Sequence, residues 1–439
     1  MRICRSLCTS MLLLLGHLTW AQATMAPAQK KSILIVNATA HIGNGKLIPK
    51  SLVGLKDGKI AEVYNANVVK LENLHYDSLI QADGMHLYPG FIAVNTALGL
   101  TEIDLVRATH DFAETGSMNP NVRSIIAYNT DSRIIPTIRS NGILMAQTTP
   151  RGGVISGSSS VVQLDGWNWE EALYREDDGI HLHWPRYRIE DPNRQKNKMD
   201  STNRDEKRRE QIRELEVFFR DARAYLNASY HSEINLRFEA MRGIFTGEKR
   251  LYIHADHMRE ISEAVYFKRD HEIPSMVIVG GYDSWRVVEF LKDHEVPVIL
   301  RKTHSLPARA DEDIDLPYRL PSLLDKAGIL FCVDNEGGME VMNTRNLPFW
   351  AGTARTYGLE GEKALQMITL NAARILGIDK TCGSLEAGKD ATLFLSKGDA
   401  LDMETNDVIA AWIRGRSLDL DNDQKKLYRK YKAKYEREN

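Results

Sequence analysis

The stretch Ala82-Asp-Gly-Met-His-Leu-Tyr-Pro-Gly-Phe-Ile92 separates two parts of the chain that differ in their pattern of apolar residues. Before it, residues 32–88 contain short apolar runs joined by turns, and Asp57-Gly58 stands between two of these runs. An Asp-Gly pair favours a hairpin because the tight turn requires positive φ angles. We therefore predict short antiparallel strands over residues 32–88.

After this stretch, strand-like apolar runs alternate with helical segments as far as about residue 379. The clearest runs are 251–255, 275–280, 298–300 and 329–333. Strands that alternate with helices are typical of a parallel sheet or barrel. The alternation therefore predicts an α/β domain over residues 89–379.

The strand-like texture returns near the end of the chain, at residues 383–395 and 407–416, with glycines at the joints. Neither end contains enough strands to bury the face of a sheet by itself. We therefore predict one small β-sandwich that residues 32–88 and 380–420 build together.

A charged insertion interrupts the barrel pattern at about residues 167–237. Its charged piece, 190–209, precedes a helix whose apolar positions recur at three-four spacing. Those positions are Ile212, Leu215, Phe219, Ala222 and Leu226. We predict a helix that packs by this stripe and covers one mouth of the barrel; a charged binding surface is the alternative interpretation.

The tail, residues 421–439, is basic and helical in pattern, with Tyr428, Tyr431 and Tyr435 on one face. A terminal helix can bury such a face against its own domain, or it can offer the face to a partner. We predict a packed terminal helix.

The N-terminus has the pattern of a signal peptide. Arg2 and Arg5 precede the apolar stretch 11–18, and Ala21-Gln-Ala23 has the small-x-small form that signal peptidase accepts. The apolar stretch is shorter than the ~20 residues of a membrane-spanning helix. We therefore predict cleavage after residue 23, a periplasmic or secreted protein, and no membrane span after cleavage.

The charge balance argues against a nucleic-acid partner. Removing residues 1–23 takes away two of 57 basic residues, so 55 basic face 59 acidic residues and the net charge is −4. Only Cys332 and Cys382 remain of the four cysteines, which is too few for a disulfide framework. We expect a buried free thiol at Cys332.

Motifs at both ends of the α/β part resemble the amidohydrolase superfamily, nearest its imidazolonepropionase-like branch. Residues 82–92 resemble the passage from sandwich to first barrel strand, and 362–378 with 383–391 resemble the last barrel helix and the return to the sandwich. The resemblance covers about 33–166 and 238–418. It implies a distorted (β/α)8 TIM-type barrel with a small β-sandwich formed by the N- and C-terminal segments.

The same resemblance implies a metal site at the barrel mouth, where a divalent ion such as zinc acidifies a bound water. The family's paired first-strand histidines fall on Asn95 and Ala97, and its sixth-strand histidine falls on Gly280. Its fifth-strand histidine and eighth-strand aspartate match His254 and Asp334. The implied site is a degenerate one with His254 and Asp334 as ligands, holding one divalent metal ion or none.

Two further motifs supply a candidate pair of metal ligands and a candidate substrate-binding residue. His181 and His183 have the spacing that places two side chains on one face of a strand, although such a pair also arises by chance. Arg151 stands in the glycine- and serine-rich stretch 150–160, where it can hold an anionic group with its forked guanidinium. A flexible loop at the barrel mouth is the alternative interpretation of this stretch.

Two functions follow from these observations. The first is an exported hydrolase that cleaves a carbon–nitrogen bond in a non-peptide amide or cyclic amide by attack of water. Asp334 would accept a proton, His254 would be a ligand or electrophile, and Asn95 and Arg151 would bind substrate. The second is a catalytically inactive protein of the same fold that binds a small ligand or a partner protein. A homo-oligomer is compatible with either function.

Overall fold

A computed structural model describes residues 25–187 and 198–437. The predicted signal peptide, residues 1–23, lies outside the described residues. Within the described ranges, none of the helices combines the length and the apolar character that a membrane span requires.

Both ends of the chain contribute strands to one sheet. The strands from the N-terminal part are β1 Ile33–His41, β2 Leu47–Lys56, β3 Lys59–Asn65, β4 Ser78–Gln81 and β5 His86–Pro89. Those from the C-terminal part are β14 Leu393–Ser396, β15 Val408–Ile413 and β16 Arg416–Ser417. Their order is β16-β15-β14-β5-β1-β2-β3, with β4 beside β1, and β14 pairs antiparallel with β5. The prediction of a composite domain from the two ends is confirmed.

A buried apolar cluster holds these two groups of strands together. Val53 and Leu87 from the N-terminal strands pack with Leu393 and Trp412 from the C-terminal strands, and all four are at most 2 % exposed. Each such buried side chain contributes about 1.5–3 kcal/mol. Neither set of strands would bury these side chains without the other.

The barrel is a second sheet with strands in sequence order. Its strands are β6 Phe91–Thr96, β7 Ile143–Thr148, β8 Ile155–Gln163, β9 Leu173–His183, β10 Arg250–Ala255, β11 Met276–Gly280, β12 Val298–Leu300 and β13 Phe331–Val333. Neighbours pair in parallel except that β8 runs antiparallel to β7 and β9. A parallel bridge from Val94 to Asp334 links the last strand to the first. The predicted distorted (β/α)8-type barrel is confirmed, and β8 is the source of the distortion.

The helices connect and surround the strands. They are α1 Ile134–Arg139, α2 Trp169–Ala172, α3 Lys198–Asn227, α4 Leu236–Ala240, α5 Arg242–Thr246, α6 Met258–Asp270, α7 Val288–Asp293, α8 Leu316–Ala327, α9 Glu340–Asn343, α10 Leu347–Thr356, α11 Gly361–Met367, α12 Leu370–Leu376 and α13 Asp423–Arg437. Cys332 and Cys382 are buried free thiols, as expected for Cys332.

The structure corrects the extent of the charged insertion. Residues 173–183 of the predicted range 167–237 form β9, the fourth strand of the barrel. The sequence hid this strand because residues 175–178 are four consecutive charged residues. Each of the four has a specific partner. Arg175 donates to the carbonyl of Leu376, Glu176 and Asp177 pair with Arg123, and Asp178 accepts from Tyr252.

The long helix α3 lies along the outside of the barrel. Leu215, Phe219 and Ala222 of the predicted stripe are fully buried, and the Phe219 ring meets that of Phe267 in α6 at 4.8 Å. Ion pairs between α3 and the α6 region run from Arg208–Glu263 to Arg223–Glu272. The predicted stripe is therefore correct, but the expected position over a barrel mouth is wrong, because the stripe buries itself against α6.

Candidate active site

The predicted site residues lie at or just beyond the C-terminal ends of the barrel strands. In a closed parallel barrel these ends meet at one mouth, so residues distant in sequence become neighbours. The residues concerned are Asn95 of β6, Arg151 after β7, His181 and His183 of β9, His254 of β10, Gly280 of β11 and Asp334 after β13.

Asn95 joins two charged groups at this mouth. Its side-chain amide donates to Asp334 Oδ2 at 2.7 Å, and its side-chain oxygen accepts from the Arg151 guanidinium at 2.7 Å. A second Arg151 nitrogen donates to the Asn95 carbonyl at 2.7 Å. Asn95 is fully buried with φ 50°, a left-handed conformation that asparagine tolerates better than most residues. Asn95, Arg151 and Asp334 therefore form one connected unit.

Glu340 anchors the same unit from α9. Its carboxylate lies 3.8 Å from Arg151 and accepts from the backbone N–H of Ala97 at 3.1 Å. Burial raises the pKa of Glu340, and the positive charge of Arg151 opposes this rise. The family's second first-strand position, Ala97, therefore contributes a backbone contact and no side-chain ligand.

Asp334 is a buried carboxyl group beside another acid. It is 1 % exposed and accepts from the backbone N–H of Glu336 at 3.0 Å. Burial raises the pKa of Asp334, and the neighbouring charge of Glu336 raises it further. The hydrogen bond from Asn95 opposes both effects. This environment brings the pKa of the Asp334 carboxyl closer to neutral pH. A group that takes up and returns a proton is most effective when its pKa lies near the working pH.

Three histidines cluster beside this unit. His181 Nδ1 lies 3.0 Å from His254 Nε2, and the His183 ring stacks on the His254 ring at 4.1 Å between centroids. Burial lowers the pKa values of all three, in the case of His183 to about 4, and the nearby positive charge of Arg151 adds to this effect. The three imidazoles are therefore neutral at pH 7.

This cluster changes the interpretation of the His-x-His motif. The strand spacing indicated that His181 and His183 could act together, but their predicted place was the insertion. In the barrel they stand next to His254, because β9 pairs with β10 in register. The Nε2 atoms of His181 and His183 are buried without a hydrogen-bond partner in the described part of the chain.

The sixth-strand position is closed by an ion pair. A Cβ atom on Gly280 would lie 2.5 Å from Asp256 Oδ1, and the φ of Gly280 is 96°. The other Asp256 oxygen accepts from Arg301 at 2.8 Å, and Arg301 lies 3.9 Å from Glu336. A histidine at position 280 would therefore collide with a carboxylate that already has a partner.

The donor set does not fit the family's metal site. The Asn95 oxygen is bonded to Arg151, Ala97 and Gly280 have no donor side chain, and Arg151 places a fixed positive charge against the histidines. Among residues 25–187 and 198–437, no group of three or more His, Cys, Asp or Glu side chains is arranged to hold a metal ion. His254 and Asp334 are also not joined by any hydrogen bond within these ranges. We therefore derive no chemical step from a metal ion.

A buried polar network beneath the mouth was missed by the sequence reasoning. Asp178 is fully buried and accepts from Tyr252 at 2.6 Å, from Gln147 at 2.9 Å and from Ser159 at 2.8 Å. Gln147 also accepts from the backbone N–H of Asn95 at 3.0 Å. The network therefore holds Asn95 from below. The sequence offered one sign of this network, because Asp178 stands at a position of β9 whose side chain points inward. The charged residues on either side of it concealed the strand.

Comparison with known proteins supports the fold. A model of the amidohydrolase family matches residues 176–418. An amidohydrolase from Thermotoga maritima MSB8 is 21 % identical with a TM-score of 0.73, covering 88 % of this chain and 99 % of that chain. An adenosine deaminase from Xanthomonas campestris with bound zinc is 13 % identical with a TM-score of 0.53, covering 94 % and 99 %. No curated protein sequence shows significant similarity to this chain.

A prolidase complexed with N-methylphosphonate-L-proline is 14 % identical with a TM-score of 0.53, covering 88 % of this chain and 99 % of that chain. At such identities the solved structures establish the fold alone. The family model adds the sequence evidence, because it matches more than half of the chain, including β10, β11 and the eighth-strand aspartate. The chain therefore belongs to the amidohydrolase family.

Proposed function

We propose that this protein is an exported hydrolase that cleaves the carbon–nitrogen bond of a non-peptide amide or cyclic amide by attack of water. The observation that carries the proposal is the connected unit at the barrel mouth. It joins a buried carboxyl group, Asp334, to a guanidinium, Arg151, through the side chain of Asn95. Amide hydrolysis needs both a group that accepts the proton of water and a donor that stabilises the developing oxyanion.

Each member of this unit has a distinct role. Asp334 takes a proton from the attacking water and returns it to the leaving nitrogen. Arg151 uses two of its five N–H donors on Asn95, and the others serve the carbonyl oxygen of the substrate. Asn95 binds substrate together with Arg151 and fixes the orientation of Asp334.

His254 acts as a neutral hydrogen-bond donor in this proposal. In the tautomer in which its Nε2 accepts from His181, its Nδ1 carries the proton that the substrate receives as a hydrogen bond. The burial of the histidine cluster keeps these rings uncharged, so they do not repel Arg151.

The export part of the proposal rests on the first 23 residues. Arg2 and Arg5 before an apolar stretch and Ala21-Gln-Ala23 after it are typical of a cleaved signal peptide. N-terminal sequencing of protein recovered from the periplasm or medium should begin at or near Thr24. Retention of Met1 on protein found only in the cytoplasm would contradict export.

A second candidate function is a binding protein without catalysis. The specific observation in its favour is that the family's ligand positions are occupied by other contacts, with Asn95 bonded to Arg151 and Gly280 closed by Asp256. Such a pocket would retain a small ligand or a partner but would not hydrolyse it.

A panel of small amides and cyclic amides distinguishes the two functions. We expect turnover of at least one class, and Asp334→Asn should reduce it by roughly 10²- to 10⁴-fold because an amide cannot accept the proton. Asp399→Asn is the matched control, since Asp399 pairs with Arg355 and contacts none of the residues of the unit. Equal turnover in Asp334→Asn and the parent would contradict the assigned role. Ligand-induced thermal stabilisation without any turnover would favour the binding protein.

A further inference from the structure

The sequence pattern predicted that the tail helix α13 packs against the rest of the protein, but the structure leaves its apolar and aromatic face exposed. Leu427, Tyr428 and Tyr431 are 51 %, 66 % and 51 % exposed. Among the described residues, its first turn is attached through Gln424, which accepts from Thr137, and through Asn422 just before the helix, which donates to Ser140. The prediction of a packed terminal helix is therefore wrong.

The exposed helix has one aromatic stripe between two rows of lysines. At 3.6 residues per turn, positions 427, 428, 431 and 435 fall within an arc of about 100°. Lys430 and Lys434 border one side of this arc, and Lys425 and Lys432 border the other. Lys430 and Lys432 also lie over the rings of Tyr431 and Tyr428, at 5.7 and 6.0 Å.

The charge of the helix is opposite to that of the remaining chain. Residues 423–437 carry seven basic and two acidic side chains, a net charge of +5. The other residues carry 50 basic and 57 acidic side chains, a net charge of −7. A concentrated positive charge on a negative protein favours an anionic partner at this helix.

The chemistry of the stripe favours a lipid surface over a protein groove. A helix that docks in a groove lays an apolar face into a hydrophobic cleft. Here Leu427 is the one large aliphatic residue of the stripe, and the remaining members are tyrosines. Tyrosines lie at the level of lipid headgroups, and flanking lysines reach from there to anionic phosphates.

We propose that α13 is an interfacial anchor that binds the surface of membranes containing anionic phospholipids. The attachment at Thr137 and Ser140, shortly before β7 begins at Ile143, places the helix at the N-terminal end of the barrel. The mouth with Asn95 and Asp334 opens at the opposite end. The protein therefore sits on the membrane through α13 with its candidate active site facing away from the lipid.

Cosedimentation of the full mature chain with vesicles tests this proposal. Vesicles of phosphatidylglycerol and phosphatidylcholine in equal parts should retain the protein, pure phosphatidylcholine should not, and raised salt should release it. Each lysine near an anionic surface contributes about a fivefold gain in affinity. The variant K430Q/K432Q/K434Q should therefore bind roughly 100-fold more weakly, while Y428S/Y431S should lose affinity with its charge intact.

A triple change elsewhere provides the matched control. Lys46, Lys50 and Lys56 are exposed on the β-sandwich, so K46Q/K50Q/K56Q removes the same charge and should bind like the parent. Equal loss in both triple variants would overturn the assignment to α13, as would equal retention by neutral and anionic vesicles. Lipid-free self-association that disappears in the α13 variants would also overturn it, because the occupant would then be a second copy.

Discussion

Removing the hydroxyl of Tyr252 tests whether the buried network beneath the candidate active site stabilises the fold. The hydroxyl donates to Asp178 at 2.6 Å, and both residues are fully buried. In Tyr252→Phe the ring can keep its stacking on His181, 4.6 Å away between centroids, so the change removes the hydrogen bond and little else. Loss of a hydrogen-bond donor to a buried carboxyl costs about 2 kcal/mol of stability. We expect the free energy of unfolding to fall by about this amount.

Urea denaturation measures this loss as the shift of the midpoint multiplied by the slope of the transition. Tyr88→Phe is the matched control, because Tyr88 is also fully buried but its hydroxyl contacts Asp399 and Ala400 at 3.4 and 3.3 Å. Bonds of that length are weak, so this control should cost less than about 1 kcal/mol. In an Asp178→Asn background the cost of Tyr252→Phe should also fall, since the two residues are coupled. A Tyr252→Phe variant no less stable than Tyr88→Phe would refute the network.

Two further predictions follow from the barrel mouth. Gly280→His should destabilise the protein by about 2 kcal/mol or more and should gain no zinc affinity. The reason is that position 280 has φ 96° and that its Cβ would collide with Asp256. A folded variant that binds zinc more tightly than the parent in a titration would show that the position is open. His183→Gln should alter the pH dependence of stability. Burial lowers the pKa of His183 from 6.5 to about 4. As pH falls, the unfolded chain therefore takes up a proton at this residue before the folded protein does. Between pH 6.5 and 4 the free energy of unfolding of the parent should fall by up to about 3 kcal/mol relative to that of the variant. Urea denaturation of both proteins across this range checks it, and a stability difference that stays constant with pH would contradict the buried neutral ring.

Much of the architecture could be predicted because it depends on local patterns. The Asp57-Gly58 turn, with φ angles of 51° and 77°, forms between β2 and β3 as its sequence requires. The alternation of apolar runs and helical segments marked the parallel strands from β10 to β13. The stripe of α3 was also recognisable, since helical spacing identifies the buried face of a helix without identifying its neighbour.

The sequence alone therefore indicated the composite sheet and the residues at most strand ends, because turns, strand alternation and helical stripes are properties of neighbouring residues. The family was indicated by the resemblance of the motifs at both ends of the barrel. Only the tertiary structure decided which of these residues meet. Strand pairing brings His181 to His254 across 73 residues, and Arg151 reaches Asn95 across 56. Hydropathy also cannot tell a buried, partnered charge such as Asp178 from a solvated one, or a tyrosine stripe that packs from one that stays exposed on α13. These outcomes depend on contacts between distant segments, and those contacts exist only once the barrel has closed.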